Sequence, residues 1–268
     1  MRIGLYGFGK TGKAVAKAVM EDPTMTLEWV VRKTDHLKYR SAAQLFEMEP
    51  TDEGLIFPSS DIEIAEHLDT HPVDAIIDFS SQEGIDHYGV AATERDIRIV
   101  TAISTYTLER QRLLHDLSAR TAVLWSPNIT LGVNLLVIAS NILKQMVPDA
   151  DVEIIEEHFK KKNGVSGTAK ILAESLGVSE LDVKSIRAGG IVGIHEVVFG
   201  FPSQIVRLRH ETISREAFGE GALYAAAKLE HKCPGFYTME DLLLPLFGDG
   251  CRTCKPLSTT ILEDPAIV

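Results

Sequence analysis

The sequence predicts an α/β fold: a doubly wound parallel sheet followed by a second, α+β domain. Three observations predict it. A Gly7-Phe8-Gly9-Lys10-Thr11-Gly12 turn stands between a strand-like run and a helical run. As far as Pro127, short apolar runs alternate with helical periodicity, the pattern of parallel strands joined by crossover helices. Beyond Pro127 and one long apolar helix, strand-like runs follow one another with few helices between them.

At 268 residues the chain can bury one large core or two modest ones. With 45% apolar and 24% charged residues it has the composition of a globular protein, which argues against disorder. A formal net charge of −11 argues against nucleic acid as a partner. Three cysteines, an odd number, make no disulfide framework, and a reducing cytoplasm is the expected location. The first residues enter a strand directly, without a basic-then-apolar leader. No apolar run reaches the ~18 residues a membrane span needs, so no membrane partner is expected.

Residues 2–6 read as a short apolar strand, 13–20 as a helix with Val15, Ala18 and Val19 on one face, and 27–31 as a second strand. The glycines between them let the backbone turn tightly and approach a pyrophosphate resting on the helix N-terminus. Gly7, Phe8, Gly9, Lys10, Thr11 and Gly12 are therefore candidate cofactor contacts, against the plainer reading of a strand–turn–helix. The second strand of such a unit normally ends in an acid that holds a ribose 2′-OH. Arg32 and Lys33 stand there instead and suit a 2′-phosphate, which favours NADPH, with NADH possible. A solvated turn is the alternative.

Residues 34–72 are the least informative, with a helix expected at 42–48 and a loop at 56–64. Residues 73–80 form a continuous apolar strand suited to a sheet buried on both faces. A helix at 84–95, a strand at 97–101, a helix at 108–119 and a strand at 122–125 complete a Rossmann-type pattern. Ligands of such sheets lie beyond the carboxyl ends of the strands, which makes Phe79, Ser80, Ala102, Ser104, Ser126 and Asn128 further cofactor candidates.

Pro127 marks a boundary, and an apolar helix then ends near Met146. Strands are expected at 152–155, 183–188, 196–201 and 204–212, the last two as a hairpin in a mixed, largely open sheet. Long open strands need a cover, and a second subunit is the expected one. Helices follow at 217–229 and 238–247.

The chemistry concentrates in Glu156-Glu157-His158-Phe159-Lys160-Lys161-Lys162-Asn163-Gly164-Val165-Ser166-Gly167-Thr168. His158 and three lysines sit where a strand ends. Ser166, Gly167 and Thr168 sit where a helix begins, and Gly177 stops that helix. Helix starts bind anions, so lysines beside one suit a carboxylate or phosphate. His158 can move a proton near neutral pH. His158 and Lys162 lie four residues apart across a turn, so both can face one pocket, where a protonated Lys162 lowers the imidazole pKa. The bland reading is a capped surface helix after a basic turn.

In this order the motifs resemble the dihydrodipicolinate reductase family of bacterial lysine biosynthesis, over residues 1–247. The resemblance rests on the Gly7–Gly12 loop, Asp78-Phe79-Ser80, Asn128-Ile129-Thr130-Leu131-Gly132-Val133-Asn134, Glu157-His158 with Ser166-Gly167-Thr168, and Arg187-Ala188-Gly189 through His195. Gly235-Phe236-Tyr237-Thr238-Met239 closes it. It implies an NAD(P)H-dependent reductase of a cyclic unsaturated dicarboxylate, assembled as a homotetramer. It implies His158 as general acid or base, Lys162 as proton donor, and Gly167-Thr168 as carboxylate holders. Phe159, Lys161 and Ser166 are further substrate candidates, and the shortened loop leaves Lys161 as the alternative to Lys162 for the lysine that faces the pocket. It also implies a dinucleotide domain of residues 1–127 with 217–247, a substrate and tetramerisation domain of 128–216, and an extension at 248–268.

The chain departs from the family at three places. Phe159 replaces a second, substrate-contacting histidine. Asn163-Gly164-Val165 replaces Asp-Ala-Pro in a loop one residue shorter. Ala102-Ile103-Ser104-Thr105 replaces Gly-Thr-Thr-Gly. These departures motivate an alternative, a paralogue acting on another cyclic imino acid. A nucleotide-sensing protein without turnover is a third reading. In the tail, Cys251 and Cys254 with His231 and Cys233 make a weak zinc pattern, and no metal is expected.

Overall fold

A computed structural model describes residues 1–49 and 53–253, without side chains at 248–253. The Cys251/Cys254 pattern therefore lies outside what is described. The chain opens as β1 (Arg2–Tyr6), α1 (Lys10–Glu21), β2 (Thr26–Arg32), α2 (Ala42–Leu45), β3 (Leu55–Pro58), α3 (Ile64–Thr70) and β4 (Ala75–Asp78). It continues as α4 (Gly84–Thr93), β5 (Arg98–Thr101), α5 (Leu108–Ser118), β6 (Ala122–Trp125), α6 (Leu131–Met146), β7 (Asp151–His158) and α7 (Gly167–Leu176). Then come β8 (Lys184–Arg187), β9 (Gly193–Gly200), β10 (Ile205–Thr212), α8 (Glu216–Leu229), β11 (Gly235–Tyr237) and α9 (Met239–Thr253).

The first sheet has the order β11-β6-β5-β4-β1-β2-β3. Every pairing in it is parallel. Because side chains alternate along a strand, each strand feeds two cores. Ile3, Leu5, Val30, Ile77 and Val100 pack with α1, α8 and α9 on one face. Tyr6, Trp29, Ile76 and Ile99 pack with α3, α4 and α5 on the other. Both faces are covered, which is why residues 75–78 are all buried and 75–77 read as an unbroken apolar run. The strand order reverses direction at β1 and β4, and their carboxyl ends frame the crevice where such sheets take ligands.

The second sheet has the order β10-β9-β7-β8, antiparallel except for the β7–β8 pair. Its inner face packs Ile154, Val197 and Phe199 under α6 and α7. The opposite face carries Glu196, paired with Arg207 and Arg209. Helix α8 then returns to the first domain, where Gly219 allows close packing on Ala18 of α1.

Several elements differ from their expected bounds, for local reasons. Helix α1 begins at Lys10 and not at residue 13, because Gly12 tucks beneath the turn: a Cβ there would stand 2.1 Å from the Gly7 carbonyl oxygen. The loop expected at 56–64 holds β3, whose Ile56 is fully buried and whose edge position tolerates Pro58. Helix α3 went unread because a buried His67 breaks its apolar stripe, although Glu63 caps it by accepting from the N–H groups of Ala65 and Glu66. Strand β11 has three residues, too few to show a period, and closes the sheet beside β6. Strand β7 runs on to His158, past the expected 155, because Glu156 and His158 keep the inward alternation of Ile154 with polar groups that find partners.

Candidate active site

Three cavities in series join the two domains. The middle one, about 460 Å³, is lined by Thr11, Phe79, Ser80, Ala102 and Ser104 at the strand ends. Through Ser80 it adjoins a cavity of about 200 Å³ that holds Arg32, Lys33 and His87. Through Ser104, Thr105, Pro127 and Phe218 it opens into a cleft of about 710 Å³ between the domains.

The glycine turn is built for close approach. Gly7 has φ +94° and lies against the backbone of Phe79 and Ser80, so a side chain is excluded there. A Cβ on Gly9 would meet nothing within 4 Å, which leaves that stretch of backbone open to a ligand. The first bond of α1 runs from Lys13 N–H to Gly9 O at 2.9 Å, leaving the N–H groups of Lys10, Thr11 and Gly12 free at the helix start. This arrangement fits a dinucleotide pyrophosphate. Arg32 donates to the His36 carbonyl at 2.6 Å, which holds its guanidinium at the end of β2 beside Lys33. The Phe8 side chain is buried in the core, and the Lys10 side chain faces a separate shallow cavity with Lys13 and Lys17. Ser126 is buried and donates to Asn128 O at 2.7 Å, so it shapes the turn without lining the trough. Asn128 lines the large cleft and accepts from Thr168 Oγ1 at 3.0 Å.

In the cleft, strand alternation places Glu156 and His158 of β7 on the face that also carries His195, the cross-strand neighbour of Glu156. His158 is buried, and its Nδ1 lies against Glu156 Oε2 in an ion-pair contact. Glu156 is fully buried; its Oε1 accepts from Ser185 Oγ at 2.5 Å and from Arg187. Burial raises the Glu156 pKa, but Arg187, Ser185 and His158 outweigh it and hold the carboxyl below its ordinary value. Burial lowers the His158 pKa, and Lys162 lowers it further, against an opposing pull from Glu156. Repulsion by Lys162 is thus present but second to burial. Lys162 is half-buried, and burial lowers its pKa as well, with Glu156 opposing.

Helix α7 starts at the same cleft. Ser166 caps it by accepting from Ala169 N–H at 3.2 Å, and Lys170 N–H bonds back to Ser166 O at 3.0 Å. The N–H groups of Gly167 and Thr168 are left free, and Gly167 has open space beside it. Lys162 and Lys170 line the cleft, and among the described residues no carboxylate does. Lys170 shares its charge with Glu180 at 2.7 Å. Phe159, 43% exposed, and the exposed Lys161 stand outside the lining.

Three residues of this group were not foreseen as site residues. Glu156 and Arg187 meet across 31 positions of sequence, and no local spacing signals that pair. His195 is buried and bonds Ser166 Oγ through Nε2 at 3.0 Å; burial holds its pKa down at about 3, so it stays neutral. Ligand atoms of Glu156, His158 and His195 lie within 4.8 Å of one another, a spacing a divalent cation can use. Arg187 already meets the charge of Glu156, and Lys162 adds a second positive charge nearby, so the positive charge a cation would bring is already supplied.

Comparison with known proteins accounts for nearly all of the described chain. Residues 1–129 match the family described as dihydrodipicolinate reductase, N-terminus, and residues 132–243 its C-terminus. A 4-hydroxy-tetrahydrodipicolinate reductase of Caldanaerobacter subterraneus subsp. tengcongensis is 32% identical, over 91% of this chain and 98% of that protein. A reductase of the same name from Nitratidesulfovibrio vulgaris is 28% identical, over 88% of this chain and 96% of that protein. Among solved structures, a dipicolinate-bound dihydrodipicolinate reductase from Paenisporosarcina sp. TG-14 superposes with a TM-score of 0.74 at 19% identity, over 91% of this chain and 99% of that one. An amine dehydrogenase from Mycobacterium smegmatis shares the fold with a TM-score of 0.60 at 10% identity, over 88% and 94%.

One buried acid beneath the trough gives a pH test. Asp78 is fully buried and accepts from Ser80 N–H at 2.7 Å, Ser80 Oγ at 2.6 Å and Tyr88 OH at 3.0 Å. Burial pushes its pKa up to about 6, against the pull of those bonds. A folded value above the unfolded one means this group favours folding most when protonated. Its contribution is complete below about pH 4 and is lost as pH rises through about 6. Asp78→Asn should remove that dependence. The stability difference between wild type and variant, from urea titrations, should change by about 2 kcal/mol between pH 4 and 7. Parallel stability profiles for the two proteins would contradict it.

Proposed function

This chain belongs to the dihydrodipicolinate reductase family, and we propose that it uses NADPH to reduce the cyclic unsaturated dicarboxylate of lysine and diaminopimelate biosynthesis. It is an NAD(P)H-dependent oxidoreductase with a Rossmann-type domain. One observation carries the reading of the site: His158, Lys162 and the free N–H groups of α7 share one cleft, and that cleft shares Ser104 and Thr105 with the trough beside the glycine turn.

The residues divide the work by their chemistry. A bound dihydronicotinamide supplies hydride to a C=C bond conjugated with the ring nitrogen. Gly167 and Thr168 hold one carboxylate at the start of α7, where the helix dipole and two N–H groups favour an anion. Lys162 faces the same cleft as a cation and balances the dianion. His158 delivers the proton that quenches the charge developing on the substrate. Thr168 Oγ1 is committed to Asn128, which ties the carboxylate site to the turn after β6 and fixes the distance between the two halves. Phe159 stands where the family resemblance leads one to expect a second histidine, but it lies outside the cleft lining, and the donors of the cleft are present without it.

Arg32 and Lys33 favour NADPH over NADH through the 2′-phosphate. The outer face of the second sheet, with Ile205 60% exposed, is assigned to contacts between copies in a homotetramer. Among the described residues no helix is long and apolar enough to cross a membrane, and a cytoplasmic setting suits the pathway.

Loss of NADPH absorbance at 340 nm with the lysine-pathway intermediate, run against a panel of cyclic imino acids, tests the assignment. The intermediate should be the best substrate. His158→Gln and Lys162→Ala should each lower kcat by ~10²–10⁴-fold with NADPH affinity unchanged. Replacing Arg32 and Lys33 together by Ala should cost NADPH ~10–100-fold in affinity and leave NADH little changed. Turnover confined to another imino acid would overturn the substrate, and full activity of the His158 variant would overturn its role.

A further inference from the structure

Glu156 does not line the cleft, yet it touches the imidazole that does. We propose that Glu156 is a positioning residue for proton transfer: it holds His158 in the Nδ1–H tautomer and leaves Nε2 as the atom that carries the proton. This inference rests on the reductase reading above.

The geometry supports it from both sides of the ring. Nδ1 is sealed from solvent and faces Glu156 Oε2. Nε2 faces Gly193, where a Cβ would stand 3.1 Å away, and Gly193 lines the cleft. Neither atom has another hydrogen-bond partner, and an ionised carboxylate only accepts, so a hydrogen shared at this contact belongs to Nδ1. The carboxylate is kept ionised by Arg187, which is not free to turn away. The same guanidinium donates through Nε to Lys162 O at 3.1 Å and through Nη2 to Gly164 O at 2.6 Å. The Glu156–Arg187 pair therefore fixes the ring orientation on β7 and the loop that presents Lys162. A plain structural ion pair would not need its second oxygen on a catalytic imidazole.

In the reaction, Nε2 takes up a proton from solvent before the hydride arrives. It then gives that proton to the substrate carbon adjacent to the one reduced. The substrate gains one hydride and one proton, and the nicotinamide is oxidised by two electrons. While His158 is an imidazolium, Glu156 stabilises it. The charged and titratable groups facing the ring are Glu156 on its own strand, Lys162 on the following loop, Arg187 on β8 and His195 on β9. Only Glu156 favours the protonated form.

Two measurements on the full chain test this. In ring-nitrogen ¹⁵N NMR above pH 8, with His158→Gln identifying the signal, His158 should be the Nδ1–H tautomer; an Nε2–H tautomer overturns the proposal. In Glu156→Gln the amide N–H donates to Nδ1 and drives the hydrogen to Nε2. The variant should lose ~10²–10⁴-fold in kcat, with KM for the dicarboxylate and NADPH affinity within about threefold of wild type. The alkaline fall in its kcat should move to lower pH, because the imidazolium has lost its counter-charge. Unchanged kcat and pH profile in Glu156→Gln overturn the proposal. If the variant does not fold, the wild-type tautomer decides. Wild-type protein that reduces no cyclic unsaturated dicarboxylate defeats the reductase reading instead, and the tautomer measurement separates the two failures.

Discussion

The buried Glu156–Arg187 pair is the constraint on which the site depends. Burying a carboxylate is costly unless it is paired and fully hydrogen-bonded. Here Arg187 and Ser185 bond one oxygen, and the other stands in ion-pair contact with His158 Nδ1. Removing one partner of such a buried pair typically costs about 3–5 kcal/mol, mainly by stranding the other charge. That cost makes the arrangement rigid. The guanidinium also holds the carbonyls of Lys162 and Gly164, so one ion pair on the second sheet sets His158 and the loop that follows it.

The two domains contribute different kinds of order to one cleft. The parallel sheet offers carboxyl ends of strands and a helix start bare of side chains at Gly9. The mixed sheet offers a polar row on its covered face, with α7 beginning where that row ends. Each domain therefore presents a helix N-terminus, α1 at the trough and α7 at the cleft, of the kind that favours an anion. Two contacts hold the junction after β6. Thr168 on α7 meets Asn128 after β6, and Gly221 of α8 allows its helix to lie against the backbone of Ile129.

The parts legible in the sequence were those where sterics leave one residue type. Gly7 needs a positive φ, and Gly12 has no room for a Cβ, so the glycine turn announces itself. The buried strand β4 likewise reads as an apolar run because both its faces are covered. Strands β3 and β11 were invisible for the opposite reason: they are short edge strands with half their positions only partly buried or more. His158 and Lys162 were legible from a turn four residues wide. The partners that orient them were not, because Arg187 comes from another strand and Glu156 reads as one acid in an ordinary polar alternation. Lys161 and Phe159 sit next to Lys162 and His158 in sequence, but the turn after His158 carries both out of the cleft lining.

The most direct test is a crystal structure of the ternary complex with oxidised dinucleotide and a planar aromatic dicarboxylate such as pyridine-2,6-dicarboxylate. The account predicts the pyrophosphate at the start of α1 and one carboxylate on the N–H groups of Gly167 and Thr168. It also predicts His158 Nε2 facing the ring from the side opposite the nicotinamide. A dicarboxylate bound away from α7, or His158 turned so that Nδ1 faces the ligand, would contradict it.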